Sequence, residues 1–158
     1  MQKINSQLLN STLEKASSSP RLRMNYNFHP TLDAIYQRML NCLMPGTYCR
    51  PHRHSNPSKN ESFIILKGRV LVLEFDNEGE ISDFFILNAK EGNYGVDFLP
   101  NTWHTIIALE PSVVFEAKDD PYSPLNDKDF APWAPKEGSE DCQRYNRSIL
   151  EKLGINYG

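Results

Sequence analysis

Long apolar runs are missing from this 158-residue chain, and cysteine is scarce. Nothing approaches the ~20 consecutive apolar residues that a bilayer-spanning helix needs. The start, Met1-Gln-Lys-Ile-Asn-Ser6, has no apolar segment of the kind a secretory signal carries. The three cysteines, Cys42, Cys49 and Cys142, are odd in number and widely spaced. They form no disulfide framework and suit a reducing compartment. A basic excess is absent too: 17 Lys and Arg stand against 20 Asp and Glu, for a net charge of −3, which argues against a nucleic-acid partner. No internal repeat and no low-complexity segment is present. A cytoplasmic protein of one ordinary domain, with no membrane partner, is the expectation.

The charge that is present is unevenly spread. From Arg21 to Arg69 there are eight basic and two acidic residues, whereas beyond Arg69 there are seven basic and 17 acidic ones. A site on the basic half would draw an anionic small molecule such as a carboxylate or phosphate ester.

Periodicity divides the chain into a core and two arms. Leu8, Leu9, Leu13 and Ala16 fall on one helical stripe over residues 5–17, with Asn5 or Ser6 as its cap. From Arg21 to His29 the period changes to two. Leu22, Met24, Tyr26 and Phe28 alternate with Arg23, Asn25, Asn27 and His29, as in a half-buried strand or extended arm. Eight strand-length runs follow: 37–44, 48–54, 61–66, 70–75, 84–87, 96–99, 104–109 and 113–118. Turn residues such as Pro45-Gly46, Lys67-Gly68 and Pro100-Asn101 separate them. Phe63–Leu66 and Val70–Leu73 are apolar on both faces and need cover on both sides, which points to an arm or a second subunit and hence to a homodimer. After Lys118 a Pro-rich stretch carries Phe130 and Trp133, two aromatics that call for burial against the core. Ser139 is placed to cap a last helix striped by Tyr145, Ile149 and Leu153 and stopped by Gly154. These patterns describe a mostly β protein, a sandwich or jelly-roll barrel over about 36–118, with arms at 1–35 and 119–158.

Four residues stand out chemically. His52 and His54 are two apart, so on a strand they share a face. Glu61 opens the next strand, and His104 follows the Pro100 turn. Three imidazoles and a carboxylate closing on one point would hold one divalent transition metal, Fe, Mn, Ni or Zn, with open positions for water or substrate.

With these residues in place, the chain resembles the cupin superfamily. Gly46, His52, His54, Glu61 and Gly68 follow the order of the first cupin motif, except that six residues rather than three or four separate His54 from Glu61. Gly95-Val-Asp-Phe-Leu-Pro100-Asn-Thr-Trp-His104 follows the second motif. It is one residue short on each side of Pro100, has Thr102 where Gly is usual, and lacks the Asn that normally follows the His. More narrowly the chain is similar to WbuC-type cupin metalloproteins, in Ser19–His29, Pro45–His54, Thr102–Thr105 and Asp127–Pro135. The resemblance implies an all-β cupin jelly roll with an N-terminal helix and extended arm and a C-terminal Pro-rich arm plus helix. It further implies a metal at His52, His54, Glu61 and His104, and an association with bacterial surface-polysaccharide (O-antigen) gene clusters.

Strand parity adds ligand contacts. Tyr48 and Arg50 share a face with His52 and His54, and Cys49 falls opposite. Arg50 has the fork geometry to bind a carboxylate or phosphate. If the polar stripe Arg23, Asn25, Asn27 and His29 crosses the barrel mouth, it supplies donors for a carbohydrate or an anion, with His29 a candidate general acid or base. Two functions follow: a metal-dependent isomerase, lyase or oxygenase acting on a small polar or anionic molecule, and a non-catalytic carbohydrate-binding or sensing cupin. A storage or structural cupin with a relic site is a third. An acid or base beside the metal would favour the enzyme.

Overall fold

Alternating apolar positions pair into two antiparallel sheets, because each strand has one face that must leave water. The computed structural model describes residues 1–119, 121 and 128–156. Of the Pro-rich arm expected after Lys118, residues 120 and 122–127 lie outside the described residues.

Helix α1 (Ser6–Ser17) is capped by Asn5, whose side chain accepts the Leu8 N–H at 3.0 Å. Strands β1 (Arg23–Asn27), β2 (Tyr36–Leu43), β3 (His52–Arg53), β4 (Glu61–Lys67) and β5 (Val70–Phe75) follow. Then come β6 (Ile81–Leu87), β7 (Gly95–Phe98), β8 (Trp103–Ala108), β9 (Ser112–Asp119), β10 (Asp129–Phe130) and α2 (Cys142–Lys152). The first sheet runs β1-β2-β9-β4-β7 and the second β10-β3-β8-β5-β6. Between them lies a core of Leu43, Phe63, Ile65, Val70, Val72, Leu87, Phe98, Ile106, Ala108 and Val114. Each large aliphatic in it contributes about 1.5–3 kcal/mol by leaving water.

The outer faces are covered by the arms. Leu13 and Ala16 of α1 pack on Leu40, Cys42 and Val113 of the first sheet. On the second sheet, Leu71, Leu73, Phe75, Trp103 and Ile107 meet Ala131, Ala134, Ile149 and Leu150 of the C-terminal arm and α2. The doubly apolar β5 is thus covered by its own chain, while Ile64 and Leu66 on the outer face of β4 remain 44% and 37% exposed. Gly68 turns β4 into β5 with φ +83°; a Cβ there would overlap Ser112 Oγ and stand 2.6 Å from the Pro111 carbonyl oxygen.

Three expectations shift. The strand expected over 48–54 is regular only at His52–Arg53, because the backbone from Thr47 to Pro51 finds other partners. The Cys49 carbonyl accepts from Thr105 Oγ1 and the Pro51 carbonyl from the Ala131 N–H. The last helix begins at Cys142, not beside Ser139, which instead forms a turn in which the Cys142 N–H donates to the Ser139 carbonyl. Phe130, on the two-residue edge strand β10, is half exposed and has only the Arg50 guanidinium (5.3 Å) and the His52 ring against it among the described aromatic and cation contacts, while Trp133 packs against Phe75 as an arm on the barrel should. Among the described residues no helix is long and apolar enough to cross a membrane.

Candidate functional site

The structure brings His52, His54, Glu61 and His104 together. All four are buried, and one ligand atom from each lies within 4.8 Å of all the others. The placement follows from pairing. His52 sits opposite His104 in the β3–β8 ladder, and Glu61 opens β4 in the facing sheet. The six-residue spacer is taken up by a loop folded back on itself, Ser55 bridging Ser58, so Glu61 still reaches the cluster. Phe98 stacks on the His104 ring at 4.3 Å and closes the apolar side.

Hydrogen bonding fixes two of the rings. His52 Nδ1 lies 3.0 Å from the Arg50 carbonyl and His104 Nδ1 2.9 Å from the Thr102 carbonyl. A carbonyl only accepts, so both Nδ1 atoms carry the proton and both Nε2 atoms present a lone pair. His104 Nε2 is 2.9 Å from Glu61 Oε2, and His54 Nε2 is 3.2 Å from the same oxygen. A carboxylate oxygen and an imidazole lone pair are both acceptors. His52 Nε2, His104 Nε2 and Glu61 Oε2 are buried with no hydrogen-bond donor of their own among the described residues. Buried acceptors that converge without a donor call for a cation between them, and this donor set, neutral nitrogen plus one anionic oxygen, suits a borderline divalent metal. Burial, reinforced by the Lys128 charge, pushes the His52 pKa well below its ordinary value, which keeps the ring neutral.

A cavity of about 730 Å³ opens from this cluster, within the range of small-molecule sites. Its wall is the inner face of the first sheet. The register sets Glu61 beside Lys118, Phe63 beside Glu116, Glu116 beside Met39 and Met39 beside Asn27. In the next inward-facing row Val114 is beside Asn41 and Asn41 beside Asn25. Arg23, Asn25, Asn27, His29 and Arg50 all line this cavity. Tyr48 does not; it turns toward α2, where its hydroxyl donates to the Pro135 carbonyl at 2.7 Å and its ring meets Tyr145. Cys49 takes the cavity-facing place instead, because alternation is lost where the backbone leaves the ladder.

Sequence reasoning missed Glu116. It is buried, it lines the cavity, and its Oε2 accepts from Asn41 Nδ2 at 3.0 Å. Burial, and then the charge of adjacent Glu61, pushes its carboxyl up to about 8. The signal was present in Val113-Val-Phe-Glu-Ala-Lys118, where Glu116 and Lys118 alternate in phase with core-facing Val114.

Solved structures share the architecture. The L-ribose isomerase of Cellulomonas parahominis bound to L-ribose is 14% identical over 85% of this chain and 96% of its own, with a TM-score of 0.60. The capsular polysaccharide assembling protein CapF of Staphylococcus aureus is 22% identical over 79% of this chain, TM-score 0.55. The oxalate decarboxylase of Lactobacillus farciminis is 18% identical over 85% of this chain, TM-score 0.50. The chain spans about a third of CapF (33–35%) and 59% of a ligand-free L-ribose isomerase. These likenesses give a cupin-like fold. No curated protein matches the sequence. A family model described as a domain of unknown function, DUF6016, matches residues 4–87. That stretch is just over half of the chain and carries α1, β1 to β6 and three of the four clustered side chains, so the protein belongs to the DUF6016 family.

Proposed function

We propose that this protein is a metal-dependent enzyme that moves a proton on a small polar molecule, with His52, His54, Glu61 and His104 as the metal ligands and Glu116 as the general acid or base. The observation that carries the reading is Glu116: a buried carboxyl on the cavity wall, adjacent to Glu61 and oriented by Asn41. A metal at the cluster would supply Lewis acidity toward a substrate oxygen. Glu116 would hold the proton in its neutral form and receive it in its ionised form. With the Glu61 charge taken up by a cation, one cause of its raised pKa weakens, and the carboxyl moves toward the range in which a general base works near pH 7.

Fold alone does not choose the reaction, since the same architecture serves a sugar isomerase, a decarboxylase and a capsule-assembly protein. The similarity to WbuC-type cupins in both arms supports a place in bacterial surface-polysaccharide metabolism. The exposed Ile64 and Leu66 on β4 support a homodimer, which sedimentation would detect.

The test is proton exchange in deuterated water. Protein loaded with zinc or manganese is incubated with a panel of aldoses, and loss of the hydrogen next to the carbonyl is followed by NMR. Exchange that disappears in Glu116→Gln at unchanged metal content is the expected result. A loaded protein that binds the probes but never exchanges a hydrogen would be a non-catalytic binder, and exchange unaffected by E116Q would remove Glu116 from the mechanism.

A further inference from the structure

The arginines that suggested an anionic ligand already have protein partners, and the other cations of the cavity lining stand toward the clustered side chains, Lys118 opposite Glu61 and Lys128 near enough for its charge to act on His52. Arg23 Nη2 pairs with Glu137 at 2.8 Å, and its Nη1 donates to the Tyr48 carbonyl at 2.6 Å. Arg21 binds the same carboxylate at 2.7 Å. Arg50 donates to the Ala131 carbonyl at 2.7 Å and lies over Phe130. Each of these guanidiniums lines the cavity, but each has a protein partner.

Beyond Arg23, the polar side chains along the β1–β2 side of the cavity are uncharged. Asn25, Asn27, Gln37, Asn41 and His29 line it. Among the described residues Asn25 Nδ2 meets only the Met39 thioether, at 3.3 Å, a weak acceptor. Asn41 Oδ1 is buried with no donor among the described residues. His29 is only 7% exposed, and its Nδ1 lies 3.1 Å from the Arg38 N–H and 3.0 Å from the Arg38 carbonyl. The N–H can only donate, and the carbonyl already accepts from the Phe28 N–H at 2.8 Å. Nδ1 is therefore the acceptor, Nε2 carries the proton, and that buried donor has no partner among the described residues. At about 3.3 Å per residue, the strip from Asn25 to His29 is ~13 Å long.

We infer that this strip is a binding subsite for an uncharged polyhydroxylated ligand, the carbohydrate portion of the substrate, and not for a phosphate or carboxylate. Amides and a neutral imidazole offer donors and acceptors side by side, and a hydroxyl group, both donor and acceptor, can satisfy either. An anion satisfies only donors and would be repelled by the Asn41 carbonyl oxygen. The inference rests on the proposed function for the direction of the ligand, with its reacting oxygen at the metal end, but the strip itself needs no metal.

The test is an NMR titration of the full chain, with and without added zinc, using ribose, xylose and glucose as neutral probes and ribose 5-phosphate and inorganic phosphate as anionic ones. His29→Asn keeps an acceptor for the Arg38 N–H and removes the Nε2 donor. The Asn25→Ala/Asn27→Ala pair lies on an exposed strand and leaves the core intact. Neutral sugars should shift resonances of β1 and β2, and each variant should weaken binding about fivefold or more, as loss of a neutral hydrogen bond does, at unchanged zinc content. Absence of neutral-sugar binding, tighter binding of the phosphates on β1, or variants that bind like the parent would overturn the inference. Zinc uptake without sugar binding removes the subsite and spares the metal centre; sugar binding sensitive to these variants, without zinc uptake, removes the metal-enzyme reading and spares the subsite.

Discussion

Replacing Glu61 by glutamine should stabilise the metal-free protein and weaken the metal-loaded one. Without a cation, Glu61 Oε2 faces the lone pair of His104 at 2.9 Å and His54 Nε2 at 3.2 Å. Glutamine keeps the shape and puts an NH2 donor where the acceptor stood. Satisfying a buried acceptor of this kind recovers about 1–3 kcal/mol. Glu116, freed from a neighbouring charge, then ionises more easily and balances Lys118, which lies across the ladder from position 61. For a chain of this size, each kcal/mol moves Tm by about 2–4 °C, so chelator-treated E61Q should melt several degrees above the parent. Zinc at a hundred times its Kd adds about 2.7 kcal/mol to the parent. E61Q, with one anionic ligand fewer, should gain much less, and the order of melting should reverse. Calorimetry of both proteins, with and without zinc, reads all four values. The opposite view makes the cluster a buried ion network of protonated imidazoles around Glu61. On that view E61Q strands the charge and costs about 3–5 kcal/mol without metal. A chelated E61Q that melts well below the parent would therefore sink the tautomer argument and the metal centre with it.

Other predictions follow from the same geometry. Protein prepared without chelator or nickel resin should carry one metal equivalent by elemental analysis, and His52→Ala or His104→Ala should lose it. The Glu116 carboxyl is raised to about 8 from an ordinary 4.5, so the folded state binds a proton that the unfolded state has released. Its contribution to the stability of the metal-free protein is then fully present below pH ~4.5 and is lost as pH rises through ~8; Glu116→Gln should flatten that window in denaturant melts, and an unchanged slope would count against it. Leu71→Ala, emptying a fully buried place between the second sheet and α2, should cost about 2–5 kcal/mol. Gly68→Ala should cost at least ~1–2 kcal/mol for left-handed backbone, and more for the collision with Ser112 and Pro111.

The strands and the convergence of His52, His54, Glu61 and His104 were legible in the sequence, and the reasons are physical. Alternation forces β2, β4, β5, β8 and β9 to within a residue or two of where periodicity puts them, because a slip of one would turn every apolar side chain to water. The His52–His54 pair was legible because a spacing of two has one geometric meaning on extended backbone. Tyr48 and Cys49 exchanged places because parity was extended through a stretch where Thr105 and Ala131 capture the backbone carbonyls, and no local pattern announces a long-range partner. Glu116 was visible as a charge in phase with Val114, yet its role depends on which strand pairs with β9, and only the register places it next to Glu61. The expected second cover for β5 turned out to be the chain's own α2, some seventy residues downstream.

The two ends of the cavity differ in how firmly they are held, and this separates the tasks assigned to them. His104 sits on β8, a strand buried on both faces, with Phe98 stacked on its ring and the C-terminal arm packed behind it. A side chain held this way has little room to relax, so if His104 ligates as proposed, a substitution beneath β8 should disturb metal affinity without touching the cluster itself. At the other end, β1 is an edge strand paired only with β2, and Asn25 and Asn27 are exposed. An edge strand tolerates new side chains at little cost to the core. Selection for a different ligand would therefore act first on β1 and leave β8 untouched. If exchanging Asn25 and Asn27 altered metal affinity as strongly as it altered ligand choice, this separation would be wrong, and the cavity would have to be treated as one coupled unit.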